Sequence, residues 1–402
     1  MKISEGRGPV RYRLPRQWIK YDLLAVSENL ISAKAAVLAL RSSPHQKRWT
    51  EELQKIQLKR EVAGTSRIEG ADFTERELDD ALTQSPEQLR TRSQRQAAAA
   101  KRTYEWISQL ELHAPVSRDL VFHIHRLLIE GADDDHCEPG KLRGQDDNVT
   151  FGTPRHRGVS GGQECDAAFD ALLHAVAGEF RAHDPLVQAL ALHYHFAAMH
   201  PFSDGNGRTA RALEALLLRE AGLRDVPFIA MSNYYDDEKD AYLANMAQVR
   251  ANDFDLTPFL DFGLDGIARQ CERLSSEIRR NLQLALFNNM MHELFGRLKS
   301  TRKRVLAARQ MEILKLLLIA DEMSVAELEE RSSPFYHGLK HPEKAWFRDL
   351  VGLLEIGAVN YRKVGVRTYV LFADLEWPSK ITENEFFEKI NSLPKAKTYP
   401  FL

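Results

Sequence analysis

What the 402-residue chain has least of bounds it first. Its three cysteines, Cys137, Cys165 and Cys271, stand far apart without a CxxC pair, which points to a reducing compartment and away from a disulfide scaffold or a structural zinc. Net charge is scarce, formally −2 at pH 7. That excludes a nucleic-acid binder working by overall charge and leaves local basic patches open. No uninterrupted apolar run comes near the length of a membrane span, and the basic start, Met1 to Pro15, lacks a signal peptide's apolar segment. A cytoplasmic protein without membrane contact is expected. The phosphate loop of many nucleotide hydrolases is missing too, since Gly140-Lys141 is followed by Leu142 and has no glycine five residues upstream. With 44% hydrophobic and 28% charged residues, the chain can bury a sizeable core and should form two or three mainly helical domains.

What is there is concentrated in twelve residues, His200, Pro201, Phe202, Ser203, Asp204, Gly205, Asn206, Gly207, Arg208, Thr209, Ala210 and Arg211. Apolar residues at helical spacing precede them from Leu186 to Met199 and follow them from Ala212 to Ala221, so the stretch is a loop between two helices. Pro201 discourages a helical conformation at His200, which frees that imidazole at the helix end. Gly205, Asn206 and Gly207 can aim consecutive N–H groups into one concavity at the positive end of the next helix, which makes an anion site. Arg208 and Arg211, three apart on its first turn, overhang the same concavity and can hold phosphates. Asp204 sits at its lip, and a lone carboxylate beside phosphates suits Mg²⁺.

This order resembles, residue for residue, the active-site motif of the Fic family, His-x-Phe-x-Asp-Gly-Asn-Gly-Arg-x-x-Arg. The resemblance implies a Fic-type helical bundle that transfers AMP from ATP to a hydroxyl of a target protein or of itself. It implies His200 as general base, Asp204 as magnesium ligand, and Gly205, Asn206, Gly207, Arg208, Thr209 and Arg211 as the ATP-binding set. The family also places an adenine-contacting tyrosine near the start of a later helix and a polar residue two turns on. Tyr242 and Arg250 are the nearest matches.

Upstream, Thr65 to Gly70 ends one helix with Gly70 as its cap, and Thr74 with Glu77 begins the next as a capping box. Thr65, Glu69 and Gly70 resemble the family's Ser/Thr-x-x-x-Glu-Gly/Asn inhibitory motif, in which Glu69 would take Arg211 from the nucleotide while Thr65 anchors it. Asp133 to Asp135 read as a solvated loop, because consecutive acids point in different directions. His193 and His195, like His123 and His125, stand two apart and project about 200° from one another on a helix, so neither pair can share a metal. All four are expected to be packing or surface residues.

From Lys141 to Gly162 the helical pattern stops. Val149, Thr150 and Phe151 are strand formers, and Gly152, Pro154 and Gly158 supply turns, so a short hairpin is expected. It resembles the family's flap, the edge to which a target adds as a strand, with Gly140 and Arg143 as lead-in.

These patterns divide the chain into four segments. Residues 1–110 hold an extended arm to about Trp18 and the helices carrying the inhibitory motif, and 111–300 the catalytic domain, closed after Pro227 and Ile229 by helices and a basic hinge at Lys299 to Arg304. Residues 305–375 read as helix, helix, helix and two-stranded wing, with Ser324 and Glu327 as a capping box, Gly357 as a helix end, and strands at Ala358 to Val364 and Arg367 to Phe372. That order is a winged helix-turn-helix, and it resembles the C-terminal domain of many bacterial Fic proteins. Residues 376–402 are a tail. Lys340, Lys344, Arg348, Arg362, Lys363 and Arg367 could meet DNA phosphates, but Glu343, Asp349 and Glu355 dilute their charge, and protein docking or a homodimer is the favoured use.

Two other functions stay open. The chain could be a DNA-binding regulator whose core senses nucleotide, although a sensor has no need of His200. It could also transfer another nucleotide or remove AMP, since the motif reads phosphates and not the base.

Overall fold

The computed structural model describes residues 10–43, 47–111, 114–152, 155–223, 229–298, 301–366, 368–391 and 399–401. The expectations that rest on residues 1–9, Pro154, Pro227, Lys299 and Arg367 lie outside these residues. The chain packs as two compact units, Met1–Ser276 and Glu277–Leu402.

In the first unit, strand β1 (Val10–Arg11) leads through an extended arm to α1 (Leu23–Ser42), whose first turn is capped by the Asp22 carboxylate accepting from Leu24 N. The arm is pinned by His195, whose Nε2–H donates to the Trp18 carbonyl while Nδ1 accepts from the Tyr12 hydroxyl at 2.9 Å. One face of α1 buries Val26, Ala33, Val37 and Leu40, while Leu24 and Ile31 on the other are exposed. By length and composition alone α1 is long and apolar enough to cross a membrane, although Glu28, Asn29 and Lys34 interrupt its apolar run. Asn29 Nδ2 reaches Asp261 and Lys34 reaches the Asp184 carboxylate at 2.5 Å, ties that hold α1 to the unit.

Next come α2 (Lys47–Ile68), α3 (Glu75–Thr83), α4 (Arg92–Gln109) and α5 (Arg118–Ile129). Helix α2 stops because Gly70 takes a left-handed conformation (φ 91°) and returns its N–H to Arg67 while Ala71 N–H reaches Ser66. Thr74 and Glu77 form the reciprocal capping box of α3. The hairpin β2 (Thr150–Phe151) and β3 (His156–Arg157) is antiparallel, and β1 adds parallel to the far side of β3, giving the order β1-β3-β2.

Then follow α6 (Gln163–Ala177), α7 (Pro185–Met199), α8 (Asn206–Glu220), α9 (Met231–Asp237), α10 (Lys239–Ala251) and α11 (Thr257–Gly296). Helix α7 is buried at almost every position from Leu186 to Met199, as a helix apolar all round requires, and α8 packs along it. These two helices are the centre of the unit.

The division between the units falls inside α11 and not at the basic run 299–304, of which 301–304 already belong to α12 (Thr301–Ala320). The reason is packing: Phe287, Met291, Leu294 and Phe295 of α11 join the core of the second unit. That unit continues with β4 (Glu322–Ser324), α13 (Val325–Ser332), α14 (Pro342–Ile356), β5 (Val359–Lys363), β6 (Tyr369–Ala373), α15 (Trp377–Lys380) and α16 (Glu383–Asn391). Strand β4 pairs with β6, and β6 with β5. The sequence reading had no counterpart for β4. Trp377, Ile381 and Phe386 of the tail are buried in the same core. Arg348 leans on Asp349, whose buried carboxylate accepts from Arg309 at 2.7 Å, and Arg362 pairs with Glu322, so each of these cations has an acidic neighbour.

Candidate active site

His200 caps the C-terminus of α7 in a left-handed conformation, φ 56° and ψ 60°. Its Nδ1–H donates to the Ala197 carbonyl at 3.0 Å, which leaves Nε2 with its lone pair. Burial pushes the imidazole down to about 4, with the nearby Arg143 charge adding to the shift. The Phe151 ring of the hairpin lies stacked over it, centroids 3.7 Å apart and planes 17° apart.

Arg143 fixes the backbone around this residue. Its buried guanidinium donates to three carbonyls, His200 at 2.7 Å, Asp147 at 2.6 Å and Val159 at 2.6 Å, and so ties the hairpin to the loop. His125 does the same from beneath: Nδ1 accepts from Gly140 N–H at 2.9 Å, Nε2–H donates to the Asp204 carbonyl at 3.0 Å, and the ring stacks on Phe202. It is buried and pushed down to about 4 by that burial.

The loop itself is held by Asn206, whose amide accepts from Phe202 N–H at 2.9 Å and donates to the Phe202 carbonyl at 2.8 Å. That side chain is therefore a brace, and only its backbone is left for a phosphate. Gly205 is left-handed, φ 73°, and a Cβ there would strike Ile129. The Thr209 side chain is fully buried within the unit.

The two arginines part company. Arg208, 2% exposed, is bound by Asp133, its NH1 donating to Oδ2 at 2.6 Å. Asp133 is not a solvated acid, as the sequence reading had it. It is fully buried and also accepts from Arg92 at 2.5 Å and from Gln96 at 3.0 Å. Three donors converging on one carboxylate make its burial tolerable. Arg211 turns instead to α2. Its NH2 donates to Glu69 Oε1 at 2.6 Å and its Nε to Thr65 Oγ1 at 2.9 Å. Thr65 thus anchors Arg211 and not Glu69, because its hydroxyl faces the guanidinium across the helix interface.

A Cβ on Gly207 would collide with Glu69 Oε1. The carboxylate therefore occupies the floor of the anion site at the N-terminus of α8, where the helix dipole favours it. Burial would raise Glu69, but the Arg211 charge outweighs it and holds the carboxyl below the usual range. Arg211 is raised in turn, burial being overcome by Glu69.

Asp204 lies at the lip with its side chain 36% exposed, Oδ1 accepting from Gly205 N–H at 2.6 Å and Arg92 and Arg208 lying 3.5 and 3.6 Å away. Among the described residues no three acids, histidines or cysteines cluster to hold a metal alone. One carboxylate between two arginines fits Mg²⁺ arriving with phosphate oxygens rather than a free ion. Tyr242 is 4% exposed and its hydroxyl meets His193 Nε2 at 3.0 Å, while Arg250 is half-buried at the end of α10.

Residues 115–218 match the family model described as Fic/DOC family. Protein adenylyltransferase fic-1 of Caenorhabditis briggsae is 31% identical over 140 residues, which is 34% of this chain and 26% of that protein. Protein adenylyltransferase Fic of Aedes aegypti is 42% identical over 83 residues, 20% of this chain and 15% of its own. The chain thus matches about a quarter or less of the length of these curated relatives. A Fic family protein from Desulfovibrio desulfuricans G20 superposes with a TM-score of 0.55 at 18% identity, covering 92% of this chain and 99% of that one, a likeness of fold. The helices that hold His200, the glycine loop and Arg211 are a Fic domain of the Fic/DOC family.

Proposed function

We propose that this protein is an adenylyltransferase that moves AMP from ATP to a hydroxyl of a protein, and that Glu69 restrains it. The observation that carries the proposal is the Glu69 carboxylate on Arg211 and against Gly207: a negatively charged group already fills a site built for anions. A phosphate is its natural competitor.

In the reaction, the oxygen of a Ser, Thr or Tyr hydroxyl attacks the α-phosphorus, its proton passes to His200 Nε2, and the bond to the bridging oxygen breaks to release pyrophosphate. The Ala197 carbonyl keeps the proton of the imidazole on Nδ1, so the base is presented in one tautomer. The N–H groups at the start of α8 and the Arg211 guanidinium oppose the charge that moves onto pyrophosphate. Asp204 would hold Mg²⁺ brought by the nucleotide, and the ion would neutralise phosphate charge. Positioning of this kind supplies most of the catalysis in such transfers.

A target strand would add at the outer edge of β2, since β3 is paired on both sides. The relatives' names support adenylyl transfer. Self-modification is expected, and the protein would work in the cytoplasm. Incubation of the Glu69→Gly protein with α-labelled ATP tests the reading, which fails if no label is transferred to any protein while ATP is bound.

A further inference from the structure

A chain of buried polar groups that this chemistry does not use runs from the middle of the unit to Arg211. Glu214 of α8 is 1% exposed, His193 of α7 is fully buried, and Tyr242 of α10 is 4% exposed. The His193 Nδ1–H donates to Glu214 Oε2 in a short contact, and the Tyr235 hydroxyl donates to the same carboxylate at 2.9 Å. With the proton of His193 committed to Glu214, its Nε2 can only accept, and the group facing it is the Tyr242 hydroxyl at 3.0 Å. The hydroxyl proton is thereby spent. Tyr242 is left with lone pairs alone, and the Arg211 guanidinium lies beside them with only donors to offer.

We infer that Glu214, His193 and Tyr242 form a buried relay that positions Arg211, with Tyr242 holding the phosphate-binding arginine rather than touching adenine. The inference rests on the nucleotide-transfer reading above. The series runs in one direction: each donor has one acceptor, and reversing any one bond would leave a proton without a partner inside the unit, where an unpaired polar group is costly.

The relay matters when Glu69 leaves. Arg211 is held by α2 through Thr65 and Glu69, and a phosphate that displaces Glu69 removes one of those supports. Thr65 and Tyr242 then fix the guanidinium from opposite helices, so the arginine meets the outer phosphates already oriented. Tyr242, His193 and Glu214 are positioning residues in this account, because none of them touches the reacting atoms.

The test uses the Glu69→Gly chain as parent and two ligands, ATP and AMP, since AMP lacks the phosphates that Arg211 would bind. Calorimetric Kd values are measured alongside KM and kcat for α-labelled ATP. Tyr242→Phe removes one oxygen and Glu214→Leu removes the carboxylate. Both should raise the Kd for ATP about tenfold, as loss of one charge-assisted contact does, and lower kcat as well, because Arg211 also opposes the charge that moves onto pyrophosphate, with AMP bound as before. Glu214→Gln keeps an oxygen to accept from His193 and should stay near the parent. Equal weakening of ATP and AMP would mean that Tyr242 contacts the base, and the inference would be wrong. So would a lower melting temperature with unchanged ATP affinity, which marks a purely structural role. A parent that binds ATP but transfers no label removes the proposed function while the binding arms still decide the relay. A parent that binds no ATP removes both.

Discussion

The Glu69 carboxylate and the Arg211 guanidinium meet at 2.6 Å across the interface of α2 and α8, with the carboxylate two-thirds withdrawn from solvent and the arginine almost wholly so. A contact of this kind, made at the anion site and not beside it, sets two states in competition. Glu69→Gly should raise self-labelling from α-labelled ATP about tenfold, the low end of what a charge-assisted pair gives, because a third of the acid is solvated. Labelling equal to wild type across a range of Mg²⁺ and ATP would remove the inhibitory role.

His200→Ala should lose transfer by about 10²–10⁴-fold while binding ATP as before, since the base acts only on the incoming hydroxyl. Combined with Glu69→Gly it should return labelling to background. A double variant that labels like Glu69→Gly would place the base elsewhere.

Arg143 predicts a different phenotype, because it satisfies three carbonyls and no carboxylate. Arg143→Met strands all three, so the hairpin should detach from the loop. Limited proteolysis within 144–160 should speed up and transfer should fall at least tenfold, with ATP affinity little changed, as about 1–3 kcal/mol per orphaned acceptor would do. Unaltered cleavage would show that the hairpin is held by other contacts.

Acid should destabilise the fold well above the range of ordinary carboxylates. Burial pushes His125, His195 and His200 each down to about 4, whereas an unfolded histidine titrates near ~6.5. Between those values the unfolded chain binds more protons, so stability is present above the unfolded value and is lost as pH falls through the window. Glu61, pushed up to about 7 by burial, works the other way over the same range. Three histidines against one carboxyl leave the net sign unchanged. The urea midpoint should therefore be lower at pH 5 than at pH 7, and a midpoint that rises on acidification would contradict the assignment.

Where the chain is cut should matter as much as whether it is cut. Ending it at residue 304 leaves Phe287, Met291, Leu294 and Phe295 without the core they belong to, so that piece should aggregate. Ending it after Ser276, at the division between units, should leave a soluble protein that still binds ATP. Size-exclusion profiles of the two pieces decide the matter.

The loop at 200–211 was legible because its residues act locally: a proline that ends a helix, glycines that permit a left-handed turn, and arginines in phase on the next helix. The ends of α2 and α3 were legible for the same reason, since caps are made of neighbours. Asp133 was not, because three successive acids look alike until the fold turns one of them to Arg208 and leaves Asp134 to accept from Gly131 N–H. Nor was the pairing of His193 with Glu214, twenty-one positions apart on different helices. Strand β4 is three residues long, too short for alternation to register. The division inside α11 was hidden because an apolar periodicity that continues unbroken does not say which core it enters.

The hairpin edge at which a target would add under the proposed function is two residues long, Thr150–Phe151. Strand addition there can form only a couple of backbone hydrogen bonds, and at about 0.5–1.5 kcal/mol each these give no better than a millimolar grip on a free polypeptide. Such an edge selects by proximity rather than by affinity. A hydroxyl on this same chain, or on one tethered to it, is present at an effective concentration that a diffusing substrate rarely reaches. Any separate target would have to be brought to the edge by contacts made somewhere else on the molecule.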